Sequence, residues 1–97
     1  MNMDDVLLST RMRLAKDSNT PSDVLASLAQ DSFWSVRGQV AKNPSTPPDA
    51  LVVLSQDIDF CTRCEVACNP STPYGVWIQT AVWIHEIDVS VSNRTLP

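Results

Sequence analysis

The sequence predicts an all-α fold, a short solenoid of two-helix repeats, and three observations carry that prediction. First, Ala15 to Val40 and Ala41 to Val66 align without a gap, sharing Ala, Lys, Thr, Pro, Asp, Leu, Leu, Gln, Asp, Arg and Val in place. Self-similarity at a fixed period of about 26 residues marks a stacked array. Second, Thr-Pro recurs in register as Thr20-Pro21, Thr46-Pro47 and Thr72-Pro73. Third, Asn43-Pro44 and Asn69-Pro70 follow the apolar stretches at the same interval. Proline forces the residue before it out of the α region, so each Asn-Pro is a mechanical stop for a helix.

Each element can be justified in turn. Residues 1–14 read as the second half of a repeat, because Asp5, Arg11 and Leu14 match Asp31, Arg37, Val40 and Asp57, Arg63, Val66. Two full repeats follow at 15–40 and 41–66, and a partial one begins at 67–76. Within a unit the first helix starts at Thr-Pro, where the hydroxyl is expected to cap and the proline fills the first helical position. Asp23 and Asp49, three residues on, resemble a capping box and place a negative charge at the positive end of the helix dipole. Gly75 stands at that place in the third copy. Leu25 with Leu28, and Leu51 with Leu54, give the i, i+3 apolar pair that one helical turn presents to a core. Asp31 and Asp57 are expected to cap the second helix, which runs through Trp34, Val36, Val40 and Ala41, or Phe60, Val66 and Ala67.

Helices of about ten residues are marginal alone, and such a unit buries its apolar face only by stacking on a neighbour. The diverged segment 77–97 holds Trp77, Ile78, Val82, Trp83, Ile84 and Ile87, then alternates Ile87, Val89 and Val91 with polar residues. It reads as a helix followed by a strand or extended arm. Two roles are open to it: a C-terminal cap on the stack, or an interface with a partner or a second copy in a homodimer.

The string from Val36-Arg37 through Val40-Ala41, Asn43-Pro44 and Thr46-Pro47 to Leu51 and Leu54 resembles the leucine-rich repeat variant family. The resemblance covers roughly residues 5 to 77. It implies a right-handed α-solenoid of bacterial or phage origin, without strands, in which two helices alternate and one of them is in some members 3₁₀. The unit here is a little longer than the family's usual one, which favours two ordinary α-helices. The family also includes a member with an iron–sulfur cluster held by cysteines outside its repeats; the cysteines here lie inside one.

Composition narrows the function. At 97 residues the chain is one small domain, and 43% hydrophobic with 19% charged residues is ordinary for a folded protein. A net charge of −4 is the opposite of the basic footprint that nucleic acid requires. The longest aliphatic run, Leu51 to Leu54, is far too short to span a membrane. The N-terminal segment lacks the zones of a secretory signal, and three cysteines do not make a disulfide framework, so a cytoplasmic protein with reduced thiols is expected.

Three groups of residues carry chemistry. Cys61, Cys64 and Cys68, spaced C-x2-C-x3-C, fall within an arc of about 60° on the second helix and, with the sole histidine His85 as a fourth ligand, suggest zinc or an iron–sulfur cluster. The register gives these cysteines a plainer role, with Cys64 in the place of Met12 and Gly38 and Cys68 in the place of the surface residues Lys16 and Lys42. Arg11, Arg37 and Arg63 form a ladder that either clamps acidic groups of a partner or bonds a helix end or an Asp of the adjacent unit. Trp77 and Trp83 complete the candidate contact residues. No nucleophile–base motif surrounds His85, and two glycines exclude the phosphate-cradling loops. The leading expectation is a non-catalytic protein-protein interaction module, an adaptor or inhibitor without cofactor; the alternative is a metal or iron–sulfur redox module.

Overall fold

The computed structural model describes residues 3–75. Five α-helices follow one another: α1 (Met3–Lys16), α2 (Ser22–Leu28), α3 (Trp34–Lys42), α4 (Pro48–Leu54) and α5 (Phe60–Cys68). Helix α4 begins 26 residues after α2, and α5 begins 26 after α3. The described residues contain no strand, and both helices of each unit are ordinary α. The segment 77–97, with Trp77, Trp83, His85 and the expected cap or homodimer arm, lies outside the described residues.

The helices pack in two layers. α3 lies between α1 and α5, while α2 and α4 cover them from one side. Register-related side chains fill the space between: Leu25 with Leu51, Leu28 with Leu54, Val40 with Val66, and Ala15 with Ala41. A buried Leu or Val contributes about 1.5–3 kcal/mol. The seven-residue helices α2 and α4 depend on that burial, since helices so short do not persist alone.

The helix ends differ from the expectation. The threonine hydroxyls do not cap the helices that follow them. Instead each turns back and donates to the last apolar turn before it: Thr20 Oγ1 to the Leu14 carbonyl, Thr46 Oγ1 to Val40 and Thr72 Oγ1 to Val66, all at 2.6 Å. The N-caps of α2 and α4 are Pro21 and Pro47, neither with a side-chain bond. Their first-turn Asp23 and Asp49 act on the dipole alone. Asp31 and Asp57 likewise stand short of the cap, each accepting the backbone N–H two residues on, from Phe33 and Asp59. In α5 the cap is Asp59, whose Oδ2 accepts from the Thr62 N–H at 3.0 Å and from its hydroxyl at 2.8 Å. That hydroxyl is fully buried at the place Val36 holds in α3, so Asp59 is what makes a threonine tolerable in this core.

The asparagine of each Asn-Pro stop also joins one unit to the next. Asn43 and Asn69 close α3 and α5 in extended backbone, as the Asn-Pro rule requires. Their buried amides then donate across units, Asn43 Nδ2 to the Ala15 and Asp17 carbonyls at 2.9 Å, and Asn69 Nδ2 to Ala41 at 2.7 Å and Asn43 at 2.9 Å. The carbonyls left unpaired at a helix end need partners, and the amide of the next unit supplies them. Asp17 holds the corresponding place in the first copy and is exposed, and its carboxylate accepts the Asn19 N–H in a local turn.

Candidate protein-binding face

The arginine ladder forms, and the structure places it between units. Arg11 Nε lies 2.7 Å from Asp31 Oδ2, and Arg37 Nε lies 2.7 Å from Asp57 Oδ2. Arg37 also reaches back to the Asp31 carbonyl at 2.8 Å, and Arg63 repeats that bond to the Asp57 carbonyl. Arg37 and Arg63 therefore hold the starts of their own helices, and Arg11 and Arg37 hold the aspartate of the next unit. The Arg63 guanidinium lies 5.6 Å over the Phe60 ring, a cation–π contact.

The Arg37–Asp57 pair is well shielded, with 15% and 8% of the two side chains exposed. Burial pushes the Asp57 carboxyl up, but the Arg37 hydrogen bond, the Asp59 N–H and the charges of Arg37 and Arg63 outweigh it and hold the carboxyl below its ordinary range. The same hydrogen bond raises Arg37 against its desolvation. A carboxyl lowered in the folded state contributes stability at pH above the ordinary carboxylate range, and that contribution is lost as pH falls through the folded value. Urea midpoints are thus expected to drop between about pH 5 and about pH 2, and to drop less in Asp57→Asn.

The three cysteines do not converge. Cys61 and Cys68 are exposed and Cys64 is half-buried. No group of three or more His, Cys, Asp or Glu among the described residues is placed to hold a metal. The rise of a helix explains this: seven residues separate Cys61 from Cys68 by about 10 Å along the axis at 1.5 Å per residue, whereas thiolates on one zinc sit about 2.3 Å from it. Burial pushes the Cys64 thiol up, with Cys61 and Cys68 adding to the rise against the charge of Arg63. A raised thiol is a poor nucleophile and a poor ligand at neutral pH.

A surface missed in the sequence lies across α1, α3 and α5. A groove of about 280 Å³ is lined by Met12 from α1, Trp34, Gly38 and Lys42 from α3, and Cys61, Thr62 and Glu65 from α5 with the cap residue Asp59, so it holds one cation against two carboxylates. Trp34 is 56% exposed and stacks on Phe33, ring centres 6.1 Å apart. In register with Trp34 stand Leu8 and the exposed Phe60, so an apolar row runs across the three helices at one end of the groove. Lys16 and Lys42 stand in register at the other end. Gly38 lies in the middle of α3, where glycine is about 0.5–1 kcal/mol less favourable than alanine. Packing does not demand it: an added Cβ would meet only Thr62 Oγ1, at an ordinary 3.7 Å. The signal was present in the register, since Trp34, Gly38 and Lys42 share a face that Val36 and Val40 do not.

Repeating helix pairs, register-related cores and staples from one unit to the next define a helical repeat protein. The leucine rich repeat variant family model matches residues 34–59, which run from the start of α3 to the cap of α5. That segment is similar to a leucine rich repeat variant unit, the family that the Asn-Pro and Thr-Pro pattern resembles. No curated protein and no solved structure matches the chain. No helix among the described residues is long and apolar enough to cross a membrane.

Proposed function

We propose that the chain is a non-catalytic protein-protein interaction module, an adaptor or inhibitor, built as a right-handed solenoid of 26-residue units. The observation that carries the reading is the register row of Leu8, Trp34 and Phe60, with Trp34 and Phe60 exposed, beside a preformed groove. Stacked repeats offer extended surfaces, and aromatic side chains dominate the energetics of interfaces. The arginine ladder supports the same reading indirectly, because Arg11 and Arg37, tied to Asp31 and Asp57, hold neighbouring units in register and so keep the face preformed.

The test is affinity capture with the full chain in cells of its own source, followed by purification of the captured protein and light scattering of the pair. A complex of fixed stoichiometry, lost in Trp34→Glu, is the expected result. Measuring the partner's activity with and without the chain then separates inhibitor from adaptor. The reading needs no cofactor, so elemental analysis of the purified chain is expected to find neither zinc nor iron at one equivalent.

A further inference from the structure

We infer that the free protein pairs with a second copy of itself through the face of α1, α3 and α5, about a two-fold axis that runs along α3. The inference rests on the protein-binding reading of that face and names what covers it before another protein does.

The 26-residue register sets corresponding residues side by side on the three helices, so each row crosses the face from α1 to α5. One row is Arg13, Gln39 and Glu65: a cation, a neutral amide and a carboxylate. The two-fold lays α1 of one copy on α5 of the other, and α3 on α3. Arg13 then meets Glu65 of the second copy, and Glu65 meets its Arg13. Gln39 meets Gln39, and an amide both donates and accepts. Arg13, Lys16, Lys42 and Glu65 form no ion pair among the described residues, so their charges are open to this match. The row of Leu8, Trp34 and Phe60 also reverses onto itself, Leu8 on Phe60 and Trp34 on Trp34, which covers exposed aromatic surface. Ser35 and Gly38, the small residues of α3 in the groove, let the two α3 helices approach.

The wider charge pattern has the same symmetry. Of the residues lining the groove and the adjoining depression, α1 carries Arg13 and Lys16 with Asp17, a net +1; α3 carries Lys42, +1; and α5 carries Glu65 with its cap Asp59, −2. The face is neutral as a whole, positive towards α1 and negative over α5. A ligand of one charge gains little there, whereas a copy turned by the two-fold sets each side on its opposite. Lys42 is the charge that meets its like; it stands in the last turn of α3, in a groove that Glu65 also lines. Helices of 14, 9 and 9 residues make a small face, so the dimer is of the exchanging kind and another protein can displace the second copy.

Sedimentation velocity of the purified full chain over a range of concentrations tests this. The native chain is expected to move from the mass of one chain to that of two as concentration rises. Arg13→Glu and Glu65→Arg each weaken the dimer about tenfold, because each sets like charges together twice in every dimer. An equimolar mixture of the two variants regains the native affinity: in the mixed pair the substituted side chains meet each other, and one native Arg13 still meets a native Glu65. Val53→Asp on α4 leaves dimerisation unchanged, and circular dichroism melts establish that each variant is folded. A native chain that stays monomeric at every concentration, a dimer indifferent to both charge reversals, or a mixture no better than its parts would overturn the inference. So would a dimer lost in Val53→Asp instead. A monomer that still captures another protein through Trp34 would overturn it while leaving the protein-binding reading in place.

Discussion

Asn43→Ala is expected to lower the unfolding free energy by about 3 kcal/mol, because the substitution removes the donor that serves two carbonyls of the preceding unit. Each amide bond contributes on the order of 1 kcal/mol net, and a buried acceptor left unpaired costs about 1–3 kcal/mol more. Asn43 also accepts from the Ser45 N–H at 2.9 Å, and it is 1% exposed, so water does not readily replace it. Asn43→Asp provides the sharper comparison. The carboxylate keeps the Ser45 bond but points acceptors at the Ala15 and Asp17 carbonyls, so it is expected to be at least as destabilising as alanine. Urea unfolding of the three proteins checks this. A loss under about 1 kcal/mol for both would mean that the units are held by their apolar core alone.

Leu51→Ala carries the other large effect. Leu51 is fully buried in α4, and truncating a buried leucine costs about 2–5 kcal/mol, the transfer of the lost methyl groups plus the cavity they leave. Val53 lies two residues away on the same helix and is 51% exposed. Val53→Ala is therefore expected within about 0.5 kcal/mol of the native chain. For a domain of this size each kcal/mol moves the melting temperature by about 4–8 °C. Leu51→Ala should thus melt at least about 6 °C below Val53→Ala. Similar melting temperatures for the two would contradict the two-layer packing of α4 on α3 and α5.

The repeat was legible because it is written in residues that only backbone geometry explains. Asn-Pro ends α3 and α5 where proline demands, and Leu51 and Leu54 point inward as their spacing requires. The helix starts were read less well. Thr-Pro looks like a cap followed by a first helical residue, yet Thr20 and Thr46 serve the carbonyls behind them, a partner set by the return of the chain and invisible in local sequence. The asparagines were read as stops and not as links for the same reason: their acceptors lie 26 to 28 residues away. The cysteine arc was measured by rotation alone, and the rise along α5 separates what the rotation aligns.

The groove was missed through a choice of phase. In sequence Trp34 and Phe60 read with the core valines as one apolar helix, although they occupy the opposite face. Gly38 shares the face of Trp34 and Lys42, but the space beside it is set by Thr62 and Met12 on neighbouring helices. Repeat proteins commonly separate the residues that stack units from those that meet a ligand. Here the division falls between the inward Val36, Val40 and Asn43 and the outward Trp34, Gly38 and Lys42.

The measurement that tests the central claim most directly is photo-cross-linking in cells, with a benzophenone amino acid placed at position 34 in one protein and at position 53 in another. The account predicts a discrete adduct with one partner protein from position 34, and none from position 53 on the far helix layer. An adduct from position 53 alone, or equal capture from both, would contradict a binding face formed by α1, α3 and α5.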